Sequence, residues 1–177
     1  MRRILEKLHI LKPIDFNSVE YLRSRGIKIG ENVDILNSKL DGSHGFLITI
    51  GSNVTITNAV LLTHDASTKK PLGYSKVGRI NIGDNVFIGH SAIILPGTTI
   101  GSNVIVGAGC VVAQDIPDNS VVIGNPSRIL CRYDEYISTQ KFKMDTCPVY
   151  HTLYSKKSDA EKEQMYLELK NSMGFDL

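Results

Sequence analysis

Between Ile82 and Ile116 an aliphatic residue returns at every sixth position: Ile82, Ile88, Ile94, Ile100, Val106 and Val112. A second set, four positions after each, is small or β-branched: Val86, Ala92, Thr98, Val104, Cys110 and Ile116. This period fits no helix, whose faces recur every ~3.6 residues, but in an extended chain an even period returns each member to the same side. Hexapeptide periodicity of this kind is a signature of parallel β-helices. Each repeat then forms one short strand and one corner, three such faces close a coil, and equivalent aliphatic side chains stack inside. Gly83-Asp84-Asn85 and Gly101-Ser102-Asn103 supply corner residues that tolerate turn and left-handed backbone. An antiparallel sandwich would need irregular loop lengths and does not produce consecutive hits at one period.

Taken in order, residues 1–25 read as a helical lead-in. Ile4, Leu8 and Leu11 share a face until Pro13, and Asp15 or Asn17 is placed to cap a short helix carrying Val19 and Leu22. The first repeat that fits is Ile29-Gly30-Glu31-Asn32-Val33, continued by Ile35. The period lapses from Asn37 to Leu47, where Asp41-Gly42-Ser43-His44-Gly45 is turn chemistry. Ile50, Ile56 and Leu62 restore it, with Val54 and Val60 expected at the second inward position. The interval from Leu62 to Ile82 is not a multiple of six, so residues 63–80 read as a loop extruded from one face of the coil, commonly the working face. Gly124-Asn125-Pro126 ends the coil, and Ser127-Arg128-Ile129-Leu130 leads out of it. A short helix is expected over Tyr133–Gln140. Ser158-Asp159-Ala160-Glu161 reads as a capping box opening a final helix through Met173. The domain organisation read from this is a lead-in (1–25), a β-helix (26–126) and a C-terminal extension with helices (127–177).

Composition narrows the functional classes. The 177 residues carry 20 Lys and Arg against 18 Asp and Glu, so neither nucleic acid nor an anionic membrane surface is indicated as a partner. No uninterrupted apolar run follows the basic Met1-Arg2-Arg3, and none is long enough to span a bilayer. The three cysteines, Cys110, Cys131 and Cys147, have no metal-like spacing. A reducing, cytoplasmic location is the expectation.

Residues Ile82–Ile116, followed by Val122-Ile123-Gly124-Asn125-Pro126-Ser127-Arg128, resemble the hexapeptide-repeat acyltransferases. Over roughly residues 21–132 the chain looks like the galactoside, maltose and capsular-polysaccharide O-acetyltransferases. The resemblance implies a left-handed parallel β-helix with an extruded loop; with the short N-terminal helices and the C-terminal helical segment read above, the expected fold class is all-β. The left hand comes from the resemblance alone, since general crossover handedness is right. It also implies a homotrimer, with acetyl-CoA as co-substrate in the groove between neighbouring coils, a carbohydrate acceptor and no metal. A catalytic histidine stands at the start of the family's loop, and Thr63-His64-Asp65 matches that place.

Transfer of acetyl from a thioester to a sugar hydroxyl needs the hydroxyl proton removed as the oxygen attacks. An imidazole titrating near neutrality suits that role, at a gain on the order of 10²–10⁴-fold. By itself a histidine in a polar loop marks nothing; the loop entrance singles out His64. Asp65 could orient His64, bind an acceptor hydroxyl or cap the turn. By motif position the resemblance carries acceptor contact to Asn37. It carries acetyl-CoA contact to Phe87, Gly89, His90, Ala108 and Arg128, the last toward the coenzyme phosphates. His44 is read as a surface residue of the other loop, and His9 and His151 carry no signal.

Rival functions differ in what they require. A γ-type carbonic anhydrase needs three histidines around zinc, and the repeats offer only His64 and His90 at the wrong separation. A non-catalytic β-helix scaffold would need neither the His64 loop nor Arg128. Among acetyltransferases, N-acetylation of a nucleotide-linked amino sugar is the alternative to O-acetylation. The residues leave the acceptor, and use of another acyl-CoA, open.

Overall fold

A computed structural model of the chain describes residues 15–177. The expected face of Ile4, Leu8 and Leu11 lies outside them. The described chain forms two compact units divided at Tyr133 and Asp134.

In the first unit, strands fall into three parallel sheets that the chain visits in turn. The first holds Lys28–Ile29, Ile48–Ile50, Ile80–Ile82 and Thr98–Ile100; the second, Val33–Leu36, Val54–Thr57, Val86–Ile88, Val104–Val106 and Ser120–Ile123; the third, Lys39–Leu40, Val60–Leu61, Ile93–Ile94 and Val111–Val112. Each sheet is therefore re-entered on every third strand, the consequence of one strand and one corner per hexapeptide. Both aliphatic series from Ile82 to Ile116 are buried, none of the twelve more than 4% exposed. A fully buried side chain of this kind contributes about 1.5–3 kcal/mol, so the stacked rows are the main source of stability.

Asparagines hold the corners between the first and second sheets. Asn32, Asn53, Asn85, Asn103 and Asn119 all adopt left-handed backbone, with φ between 54° and 57°. Their side chains form a ladder, with Asn32 Nδ2 donating to Asn53 Oδ1 (2.9 Å), Asn53 to Asn85 (3.1 Å) and Asn85 to Asn103 (3.2 Å). Asparagine suits this place because its short amide bonds locally and tolerates positive φ.

The register departs from the sequence expectation in the earlier coils. Val60 and Leu62, expected inward, are only half-buried, whereas Ala59 and Leu61 are 1% and 0% exposed. Ile56 pairs with Ile88, and Leu61 with Ile94, so five residues here match six in the next coil. The same five-residue step separates Ile35 from Leu40. The corner between the second and third sheets is one residue shorter, turning at Asn37 and Asn58 with φ of 51° and 44°. A one-residue slip exchanges the two faces of a strand.

Two flanking readings also change. Ser18, rather than Asp15 or Asn17, caps the helix Val19–Ser24, its side chain accepting from the Tyr21 amide at 3.3 Å. Arg128 does not lead out of the coil. The chain reverses at Gly124 (φ 94°), a conformation costly for any side chain, and Arg128–Arg132 pairs antiparallel with Ser120–Ile123. That pairing covers what would be an open strand edge.

In the second unit the helix Tyr133–Met144, which begins at the boundary, runs four residues past the expected Gln140. Ser158 and Glu161 form the expected capping box, but the helix Asp159–Glu168 stops well before Met173. The chain turns back instead, and Phe175–Asp176 pairs with Val149–Tyr150. Lys157, buried within this unit, donates to Asp176 Oδ1 at 2.6 Å. Among the described residues no helix is long and apolar enough to cross a membrane.

Candidate active site

The interrupted repeat places three chemically active side chains together. After Val60–Leu61 the chain leaves the third sheet, and His64–Asp65 pairs antiparallel with Lys76–Val77. Between these strands lie a 3-10 turn, Ala66–Thr68, and a short helix, Lys69–Leu72. Leu72, Tyr74 and Val77 are all more than half exposed. One coil earlier, Leu40 pairs with Leu61, so Asp41 stands beside Leu62 and its amide donates to the Leu61 carbonyl at 3.1 Å.

The Asp41 carboxylate is the centre of the cluster. It accepts from the Ser43 amide (2.9 Å), from the hydroxyl of fully buried Thr63 (2.6 Å to Oδ2) and, through the same Oδ2, from His64 Nδ1. Burial acts to raise its pKa, but the bonds from Thr63, His64 and Ser43 outweigh that and hold it well below the usual carboxylate range. An ionised carboxylate only accepts, so His64 Nδ1 donates in their bond, and in the neutral ring Nε2 is the nitrogen left to accept. The Asp41 side chain is 4% exposed and that of His64 37%, so the pair joins an anchored carboxylate to an accessible ring. His64 lines a cavity of about 590 Å³ with Leu62, Asp65, Lys76, Leu95 and Pro96. His44 lies beside them, its ring centroid 5.3 Å from that of His64 and its Nδ1 3.9 Å from Asp41 Oδ2. It is half-buried rather than a surface residue.

The other expected residues divide between places. Asp65 accepts from the Ser67 amide (2.8 Å) and pairs with Lys76 Nζ at 2.6 Å. The Lys76 bond, then the Ser67 bonds, bring its carboxyl down to about 2. Its carboxylate thus closes the loop, while Asp41 engages His64. Asn37 lies in a second cavity of about 610 Å³, lined among the described residues by Tyr21, Arg25, Ser38, Asp41 and Ser43. Asp41 belongs to the walls of this cavity and to the pair with His64. Gly89, His90 and Ala108 meet at the corner between the second and third sheets: a Cβ on Gly89 would lie 2.7 Å from the Ala108 amide, and Gly109 donates to the His90 carbonyl. The His90 ring is exposed, its Nε2 2.9 Å from Asn58 Nδ2. Phe87, 44% exposed on the second sheet, lines a separate cavity with Asn53, Thr55, Asn85 and Tyr133. Arg128 is exposed opposite Ile123. Within one chain, then, Asp41 and His64 converge, and Phe87 lines a different cavity.

Sequence reading missed Asp41 because the lapse in period hid its neighbour. The offset of 21 residues that pairs Ile35 with Ile56 also sets Asp41 beside Leu62, one position before Thr63 and two before His64. Counting that offset would have found it.

Comparison with known proteins agrees with this architecture. Residues 79–114 match the bacterial transferase hexapeptide (six repeats) family. The chain is 38% identical over 157 residues to Protein CapG of Staphylococcus aureus, covering 85% of this chain and 87% of that protein. Against several other curated S. aureus relatives the match is 38–39% over 74 residues, and the chain spans 37% of their length. Among solved structures, a maltose O-acetyltransferase from Clostridium difficile 630 superposes with a TM-score of 0.53 at 30% identity, over 73% of this chain and 83% of that one. A hexapeptide-repeat-containing acetyltransferase from Vibrio cholerae gives 0.50 at 26% identity, over 75% and 89%. Parallel three-sheet repeats, the hexapeptide match, and the likeness to CapG and to the maltose O-acetyltransferase over most of their length lead to one assignment: the chain belongs to the hexapeptide-repeat acyltransferases and is an acetyltransferase of that family.

Proposed function

We propose that the protein is an acetyl-CoA-dependent O-acetyltransferase that acts on a hydroxyl of a sugar or polysaccharide precursor, with His64 as general base. The observation that carries this reading is His64 on the wall of the 590 Å³ cavity, held from behind by the buried Asp41 carboxylate. Acetyl-CoA supplies the thioester carbonyl. His64 Nε2 takes the acceptor hydroxyl proton as the new C–O bond forms, and Asp41 offsets the charge that then develops on the ring. As the C–S bond breaks, His64 returns the proton to the departing sulfur, so no side-chain nucleophile and no metal is needed. Asp41 is a positioning residue here, acting through His64.

The remaining elements extend the reading. The three sheets form a left-handed coil over residues 26–126, with residues 63–80 extruded from it. The chain works as a cytoplasmic homotrimer with active sites between subunits. This explains why Phe87 lies away from His64 within one chain, since a neighbouring coil would supply that face. Gly89, His90 and Ala108 meet the pantetheine arm, Arg128 the phosphates, and Asn37 and Asp65 the acceptor side.

The test follows free thiol release from acetyl-CoA over galactosides, maltose, amino sugars, UDP-sugars and serine, for the wild type and His64→Ala. Turnover on a sugar hydroxyl, lowered roughly 10²–10⁴-fold in the variant, is expected. A variant as active as the wild type contradicts the role of His64, and turnover only on an amine contradicts O-acetylation.

A further inference from the structure

We propose that Asp41, His44 and His64 form a binding site for a zinc-type divalent cation, and that the cation blocks the transferase by occupying the proton-bearing nitrogen of its base. A carboxylate oxygen of Asp41 and one ring nitrogen each of His44 and His64 all lie within 4.8 Å of one another, and both histidines turn Nδ1 toward Asp41 Oδ2. Two imidazole nitrogens and a carboxylate are a donor set that suits Zn²⁺ and Co²⁺.

The environment of His44 argues that this grouping is more than proximity. Its Nδ1 is closed off from solvent, yet it has no hydrogen-bond partner among the described residues. A buried ring nitrogen without a partner is costly, and the polar atom it approaches is the same Asp41 Oδ2, at 3.9 Å. The turn that carries both residues is held by the Ser43 amide on Asp41 Oδ1 (2.9 Å) and by Arg25 on the Gly42 carbonyl (2.7 Å). Asp41 is already held as a carboxylate by Thr63, so it offers charge without further reorganisation.

Metal–ligand bonds of about 2.0–2.2 Å in a tetrahedral site put ligand atoms roughly 3.3 Å apart. The Asp41–His64 pair therefore opens slightly and His44 closes in. The cation takes the Nδ1 lone pair, and the proton that His64 donated to Asp41 is relocated through solvent to Nε2, with no net release. A neutral ring bound through Nδ1 carries its proton on Nε2, which then cannot accept one from a substrate hydroxyl. The block rests on the reading of His64 as the base, whereas the binding does not.

The experiment titrates the metal-free, full-length protein with Co²⁺ and reads the visible d–d absorption of a tetrahedral nitrogen–oxygen site, then displaces it with Zn²⁺. It repeats the titration with His44→Ala and His44→Asn, each first checked by circular dichroism and thermal melting. One Co²⁺ per chain is expected. Both variants should bind it more weakly, by at least the roughly 10–100-fold that loss of even an outer-shell partner costs. His44→Ala should keep its own metal-free rate when Zn²⁺ is added, while the wild type is inhibited and recovers with EDTA. Absence of the Co²⁺ band, or equal binding in folded variants, overturns the site. Tight binding with undiminished turnover in Zn²⁺ overturns the block and tells against His64 as base.

Discussion

Two stretches of the same coil behave differently. From Ile80 to Ile116 every step is six residues, the inward positions are buried and filled almost wholly by apolar side chains, and the corners repeat. From Leu36 to Arg79 the step shortens to five at Asn37 and Asn58, the period breaks twice, and the breaks bring in Asp41, His44, Thr63 and His64. Regular repeats stack identical side chains and leave no place for a unique one. A unique cluster needs a chain that departs from the row on adjacent coils at the same level, as it does after Leu40 and after Leu61. Both stretches bury apolar rows, and the second adds the chemistry.

The difference can be broken by substitution, and the largest effect on stability tests the shortened step. Leu61→Ala should destabilise by about 2–5 kcal/mol, the usual cost of a core leucine truncation. Leu62→Ala, one residue on but half-buried, should cost under ~1 kcal/mol. Urea unfolding of the two variants reads this directly, and the reverse order would restore an unbroken period of six.

Asp41→Asn should cost about 1–3 kcal/mol at pH 7, because Thr63 and His64 lose a buried charged acceptor. The folded carboxyl lies below its ordinary value of 3.8, so its stabilisation is complete above about pH 4 and is lost as the pH falls through the lower folded value. The gap in urea midpoint between wild type and variant should therefore narrow on acidification below pH 4. A gap constant with pH would mean that Asp41 contributes packing, not charge.

The smallest effect lies in the regular stretch. Asn85→Ala should lower stability by about 1–2 kcal/mol, since alanine resists left-handed backbone and cannot join the ladder. Asn85→Gly should recover most of that, because glycine accepts φ near 56° without strain. Thermal melting separates the two causes: equal losses would assign the cost to the amide bonds alone.

Legibility in the sequence follows the same division. Ile94 or Val104 could be placed inside by counting, because a strict even period has one reading in an extended chain. Val60 and Leu61 could not, since nothing local marks a corner that is one residue short; Asn58 resembles the other corner asparagines. His64 could be picked out because the family resemblance places a histidine at the loop entrance. Asp41 was not, because its role depends on pairing across a coil whose length the lapse had obscured. The reversal at Gly124 was legible as a stop but not as a returning strand, since Arg128–Arg132 owes its place to the open edge of Ser120–Ile123 and not to its own pattern.

The division between the two stretches is tested most directly by one histidine from each. Thiol release from acetyl-CoA, with kcat and KM measured separately, would be compared for His64→Ala in the interrupted stretch and His90→Ala in the regular one. His64→Ala should lose roughly 10²–10⁴-fold in kcat with little change in KM for acetyl-CoA. His90→Ala should keep kcat and raise that KM, as a wall residue would. A loss in kcat at His90 as large as that at His64, or none at His64, would contradict the account.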